Sequence, residues 1–165
     1  MEAPAAAMTC QPIGLLRSPF AESQGAPIQP SGARGVAGRA ELLPHLAPGL
    51  KDLEGFSHLI LIYHCHLAAP GPLLVKPFLD DSAHGIFATR APARPNPLGL
   101  SVVRLKALEG PVLHLLDVDF LDGTPLLDLK PYVPGFDRPP GRVRTGWLSG
   151  RAGGAAQARG DGRFR

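Results

Sequence analysis

A chain of 165 residues, 44% hydrophobic and only 19% charged, is long enough to bury one core and too apolar to be disordered throughout. Its 20 glycines and 19 prolines exclude an architecture of long helices and favour short strands joined by shaped turns. The net charge of +3 hides an asymmetry: residues 1–137 carry 10 Lys+Arg against 13 Asp+Glu, whereas 138–165 carry 7 Arg against Asp161 alone, so an acidic body precedes a basic end suited to phosphates.

The first nine residues are Ala-rich without periodicity and are expected to be disordered, with neither the charged start nor the apolar run of a secretory signal. Two cysteines, Cys10 and Cys65, cannot build a disulfide framework, so a reducing, cytoplasmic setting is expected. A first strand falls at about Ile13–Arg17. "AESQGAPIQPSGARG" is loop in composition, "VAGRAELL" a second strand, and "LAPGLKDLEGF" one or two short helical turns.

The apolar run from His58, "HLILIYHCHLAAP", is too short and too rich in histidine to cross a bilayer, and no membrane partner is expected. Alternation puts His58, Ile60, Ile62, His64 and His66 on one face and Leu59, Leu61, Tyr63, Cys65 and Leu67 on the other, the pattern of a strand buried on both sides. "GIFATR", "GLSVVRLKALEG" and "VLHLLDVDFL" are further strands. So many closely spaced strands predict a mainly all-β chain, a meander closed into a single-sheeted barrel over residues 10–149. Gly and Arg dominate 150–165, which reads as a flexible basic tail whose last residues, "DGRF", dock; no second core is legible, hence one domain.

Several motifs bear on chemistry. His64-x-His66 directs two imidazoles to one side, as zinc sites require, but nothing places His45, His84 or Cys10 beside them, and partly exposed strand histidines explain the pair as well. Neither phosphate-binding glycine fingerprint is present. In "RAPARPNPLGLS", Pro92, Pro95 and Pro97 fix the backbone and remove N–H donors, so the loop holds one shape while its carbonyls stay free for a ligand's amino groups; Arg90, Arg94 and Asn96 address a carboxylate, a hydroxyl or ring edges. A proline-stiffened turn with surface arginines is the competing reading. "DVDFLDGTPLLDLKPY" sets Asp117 and Asp119 on one strand face, Asp122 at a Gly123 turn, and Asp128, Lys130 and Tyr132 on one face beyond Pro125.

"PIGLLRSPF", "GLKDLEGFSHLILIYHCH", "GIFATRAPARPNPLGLSVVRL" and "DFLDGTPLLDLKPYVPGFD" together resemble the TrmO (TsaA/YaeB-type) family of S-adenosylmethionine-dependent tRNA methyltransferases, over about Pro12 to Asp137. The resemblance implies a β-barrel homodimer with the donor site near the subunit interface, and N6-methylation of threonylcarbamoyladenosine at position 37 in the tRNA anticodon loop. It implies S-adenosylmethionine as cofactor, held by Gln29, His58, Arg90, Ala91, Pro92, Arg94, Asn96, Ser101, Leu121, Asp122 and Thr124. Asp122, Lys130 and Tyr132 are the implied catalytic residues, with Asp119 an alternative to Asp122 for proton removal, and no metal takes part. The usual P-R-Q motif is "PIQ" here, with Ile28 for the arginine, and recognition of tRNA is expected to be weaker, different, or supplied by the Arg-rich tail. The alternatives are a barrel that binds nucleotide or RNA without chemistry and a hydrolase built on His64 and His66.

Overall fold

The computed structural model describes residues 8–164, so most of the stretch expected to be disordered, residues 1–7, lies outside the described residues. Six strands, β1 (Gly14–Arg17), β2 (Ala37–Leu42), β3 (His58–His64), β6 (Leu98–Glu109), β7 (Val112–Leu116) and β8 (Thr124–Pro131), close one antiparallel sheet in the order β1-β2-β7-β6-β3-β8. The short β1 closes it, pairing with β2 on one side and β8 on the other. The remaining ladder, β4 (Leu74–Val75) with β5 (His84–Gly85), stands outside the barrel in the long excursion between β3 and β6.

Alternation decides what fills the barrel. Leu16, Ala40, Leu59, Leu61, Val103, Leu113, Leu115 and Leu126 point inward and are essentially inaccessible, each large one stabilising the fold by about 1.5–3 kcal/mol relative to exposure. The 3₁₀ turns Pro44–Leu50 and Leu53–Gly55 add Leu50 and Leu53 to this cluster. On β3 only Leu59, Leu61 and Tyr63 are buried, while His58, Ile60, Ile62 and His64 are half-buried on the outside. The strand expected to be covered on both faces is therefore covered on one, because a closed barrel has a single packed interior.

Three further expectations change. "GIFATR" is not a strand: residues Ile86–Ala88 make a 3₁₀ turn, closed by the Thr89 hydroxyl donating to the Ile86 carbonyl at 2.9 Å. Its Ile86 joins Val75, Ala91 and Phe164 in a second, small apolar cluster outside the barrel, where one core alone was expected. That cluster also holds down the segment expected to be a mobile tail. Gly25 donates to Gly160 O at 2.7 Å, Gly160 to Ala26 O at 2.8 Å, and Phe164 packs edge-on against Phe78 with centroids 5.3 Å apart. Arg159 and Gly160 thus serve as a backbone tie, with Ser23 so close to Gly160 that a side chain there would collide with it.

Candidate active site

The site begins where β3 and β6 run side by side, Tyr63 opposite Gly99 and Leu61 opposite Ser101. A Cβ on Gly99 would run into the Tyr63 ring, so the ring's path across β6 requires glycine. Ser101 Oγ donates to Asp119 Oδ1 at 2.6 Å and lies 2.9 Å from Tyr63 Oη. With the serine proton committed to the carboxylate, the tyrosine is the donor to the serine.

Asp119 is delivered by the connection between β7 and β8. Asp117 turns the chain with a φ of 68°, a left-handed conformation that aspartate tolerates. Its carboxylate accepts from Gly35 N at 2.7 Å and from Arg104, Nη2 at 2.8 Å. Val118 and Phe120 then pack into the core, and Asp119 between them faces the cavity. The two acids expected on one strand face part company because β7 ends at Leu116.

Burial pushes the Asp119 carboxyl up to about 6, against the pull of the Ser101 hydrogen bond and the Arg90 charge. Burial, and then the charge of Asp119, push Tyr63 upward and Cys65 up to about 11. Near neutral pH the tyrosine and thiol therefore keep their protons, whereas Asp119 is ionised and within reach of protonation.

These groups open on a cavity of about 1020 Å³, large enough for a nucleotide-sized ligand. Five segments wall it besides the barrel: the loop around Pro27–Gln29, the chain leaving β3 at Cys65–Ala68, Pro77–Leu79, the proline segment, and the chain end from Trp147 to Phe164. The proline segment is held by its own carbonyls. Arg94 Nη1 donates to Ile86 O at 3.2 Å, Thr89 O at 2.9 Å and Ala91 O at 3.3 Å, while Pro92, Asn96 and Pro97 carbonyls accept backbone N–H groups. The carbonyls expected to be free for a ligand thus secure the loop itself, because a chain short of N–H donors offers acceptors that neighbouring donors must find. Trp147 Nε1 donates to Ala88 O at 2.8 Å and its ring stacks on His84, with centroids 4.4 Å apart, which fixes the chain end against the same loop.

Of the residues singled out from sequence, Gln29, Arg90, Ala91, Pro92, Arg94, Ser101, Leu121 and Thr124 line this cavity, and Gln29 Oε1 accepts from Arg90 Nη1 at 3.1 Å. Asn96 is exposed and outside the lining. Asp122 belongs to a separate depression with Arg17, Ser18 and His114; it accepts from Ser18 N at 3.2 Å and lies 3.7 Å from Arg17 Nη1. His58, Lys130 and Tyr132 sit at the far end of β3: His58 and Tyr132 meet edge-on with ring centroids 6.4 Å apart, and Lys130 pairs with Asp128 at 2.7 Å. Among the described residues, no three His, Cys, Asp or Glu gather as metal ligands; β3 ends at His64, before His66.

Sequence reasoning passed over Tyr63, Phe120, Phe78, Trp147 and Phe164, all of which line the cavity. Tyr63 had a signal, the one aromatic on the inward face of an aliphatic strand. The others come from segments far apart in the chain, and no local pattern could have joined them.

A closed antiparallel barrel carrying a partly aromatic cavity with a half-buried acid at its wall defines a small-ligand-binding barrel. Residues 15–138 match the tRNA-methyltransferase O N-terminal domain, and the chain belongs to that family. A Pyrococcus abyssi protein named "Probable S-adenosyl-L-methionine-binding protein" is 54% identical over 158 residues, covering 95% of this chain and 85% of the relative. The Escherichia coli "tRNA (adenine(37)-N6)-methyltransferase" is 38% identical over 132 residues, 74% of this chain and 56% of that enzyme. A crystal structure of TrmO from Pseudomonas aeruginosa superimposes with a TM-score of 0.70 at 40% identity, covering 86% of this chain and 63% of that one. The chain thus spans little more than half of the E. coli enzyme and under two thirds of the P. aeruginosa structure.

Proposed function

We propose that the protein is an S-adenosylmethionine-dependent tRNA (adenine-N6)-methyltransferase acting on the threonylcarbamoylated adenosine at position 37 of the anticodon loop, and that it works as a homodimer in the cytoplasm. The observation that carries this reading is Asp119, hydrogen-bonded through Ser101 to Tyr63 at the inner wall of a nucleotide-sized cavity in a member of this family.

The lining fits the donor's chemistry: apolar surfaces of Ala91, Pro92, Phe120 and Leu121 for an adenosine, the Arg90 guanidinium for a carboxylate, and the Asp119 carboxylate for cationic groups. The donor supplies an electrophilic methyl group on a sulfonium. This chain's residues then have three tasks: to hold the reacting centres in line, to keep out water, and to take the proton that the acceptor nitrogen gives up. Asp119 is suited to the last, being ionised near neutral pH yet basic for an aspartate. Tyr63 and Ser101 orient it through a chain of donated hydrogen bonds.

A second copy accounts for the residues at the far end of β3. Ile60, Ile62 and Val102 form a half-buried apolar outer face that continues into Leu98 and Leu100, exposed by 48% and 51% and lining the cavity mouth. Two such faces packed with their strands antiparallel bring the His58–Lys130–Tyr132 end of one copy over the cavity mouth of the other. There Lys130 would contact the acceptor's carboxylate or a phosphate. The test is mass spectrometry of nucleosides from tRNA incubated with donor and protein: a methyl group on N6 of the threonylcarbamoylated nucleoside, and none on tRNA with unmodified adenosine 37, is the expected result. No methylation of either would end the enzymatic reading.

A further inference from the structure

Among the described residues, the arginines that follow Asp137 fall into two groups. Arg151 binds Asp80 at 2.5 Å, Arg159 donates to the carbonyls of Ala156, Ala158 and Gly32, and Arg163 pairs with Asp161 at 2.5 Å while its guanidinium covers the Phe78 ring. These three fasten the chain end to the body. Arg138, Arg142 and Arg144 are exposed, and among the described residues they have no ion pair or hydrogen-bonded partner for their side chains.

The free three lie on one exposed stretch, residues 138–146, stiffened at its start by Pro139 and Pro140. Just before it, in the single turn Pro134–Asp137, stands Phe136, 86% exposed. Just after it comes Trp147, fixed at the cavity wall. Arg144 precedes Trp147 by three residues, so their Cα atoms lie within roughly 11 Å. A row of unpartnered guanidinium groups with an uncovered aromatic ring beside it is what an unpaired stretch of RNA uses: phosphates take the cations, and a base without a partner stacks on the ring. A folded protein gains nothing internal from leaving these groups bare.

We infer that residues 136–144 form an arm that binds single-stranded RNA, with Arg138, Arg142 and Arg144 on phosphates and Phe136 under a base, leading the strand to the cavity beside Trp147. The inference rests on the reading of the protein as a tRNA enzyme. It moves RNA recognition from the end of the chain, where the arginines are already engaged, to the arm that precedes it.

The test is fluorescence anisotropy of a labelled anticodon stem-loop against salt concentration, with the full chain and with Arg138→Ala/Arg142→Ala/Arg144→Ala. The triple variant is expected to bind roughly tenfold more weakly at physiological salt and to lose about two units of the slope of log K against log salt, near 0.7 per phosphate contact on a single strand. The same triple replacement by lysine is expected to keep the slope, and Phe136→Ala to weaken the stem-loop while leaving a fully paired hairpin unchanged. Melting temperature and donor affinity, measured by calorimetry without RNA, should not move in any of them. Triple-alanine binding with the parental affinity and slope overturns the arm and leaves the tRNA reading standing. Absence of stem-loop binding by the parent chain even at low salt overturns both.

Discussion

The two ends of β3 do opposite things with the same alternation. At the Tyr63 end the inward side chains meet a serine from β6 and an acid from the β7–β8 connection, lose water, and form a hydrogen-bonded chain whose carboxyl is pushed up to about 6. At the His58 end the groups that stood out beside it in the sequence, Lys130 and Tyr132, are a surface ion pair and an edge-on ring contact. Of the two, only the first end lines the large cavity. The lesson is that proximity in a motif does not decide membership of a site, since neighbouring residues on a strand part to opposite sides, and the barrel wall makes one of those sides solvent.

Asp119→Asn sharpens this contrast most: turnover on modified tRNA should fall by roughly 10²–10⁴, with stem-loop binding retained, whereas Asp122→Asn should keep most of the activity. In the parent, kcat should rise with pH through about 6 as Asp119 ionises, and a rate that is flat from pH 5 to 8 would remove it as the base. Lys130→Ala is also expected to lose activity, through the second copy. Mixing it in equal amounts with Asp119→Asn should then restore about a quarter of the parental rate, because half of the reassorted dimers carry one intact shared site. No recovery on mixing would break the link between the two ends.

Removing residues 150–165 takes away a cavity wall, so donor affinity should fall and the melting temperature drop by about 5 °C or more; a loss confined to the KM for tRNA would contradict the packing of Phe164. Gly99→Ala should cost about 1–3 kcal/mol by forcing the Tyr63 ring aside, read as a lower denaturation midpoint. The smallest effect concerns stability against pH. Asp119 titrates higher in the folded chain than its ordinary 3.8, so the folded state loses stability as pH rises through about 6. Asp119→Asn removes that loss, and its melting temperature should gain on the parent at pH 8 while matching it below the ordinary value.

Much of the barrel was legible because alternation is a local property: Leu59, Leu61 and Leu113, Leu115 announce their inward faces within a few residues. The turn at Ile86–Ala88 was not, because its residues have strand composition and only the absence of a pairing strand and the reach of Arg94 from beyond it make a turn. Part of the candidate site was readable in the proline segment and in Gln29 and Leu121. Tyr63 and Asp119, 56 positions apart, were brought together through Ser101 by strand pairing that neither segment displays alone.

The sequence by itself determined which residues face inward, where the chain is stiff, and that its charge divides near residue 138, since these follow from side-chain period, proline geometry and composition. The tertiary structure alone decided which aspartate lines the cavity, which arginines are already engaged, and that the last residues wall the cavity. Those outcomes depend on loss of water and on partners distant in the chain, which exist only once the sheet has closed.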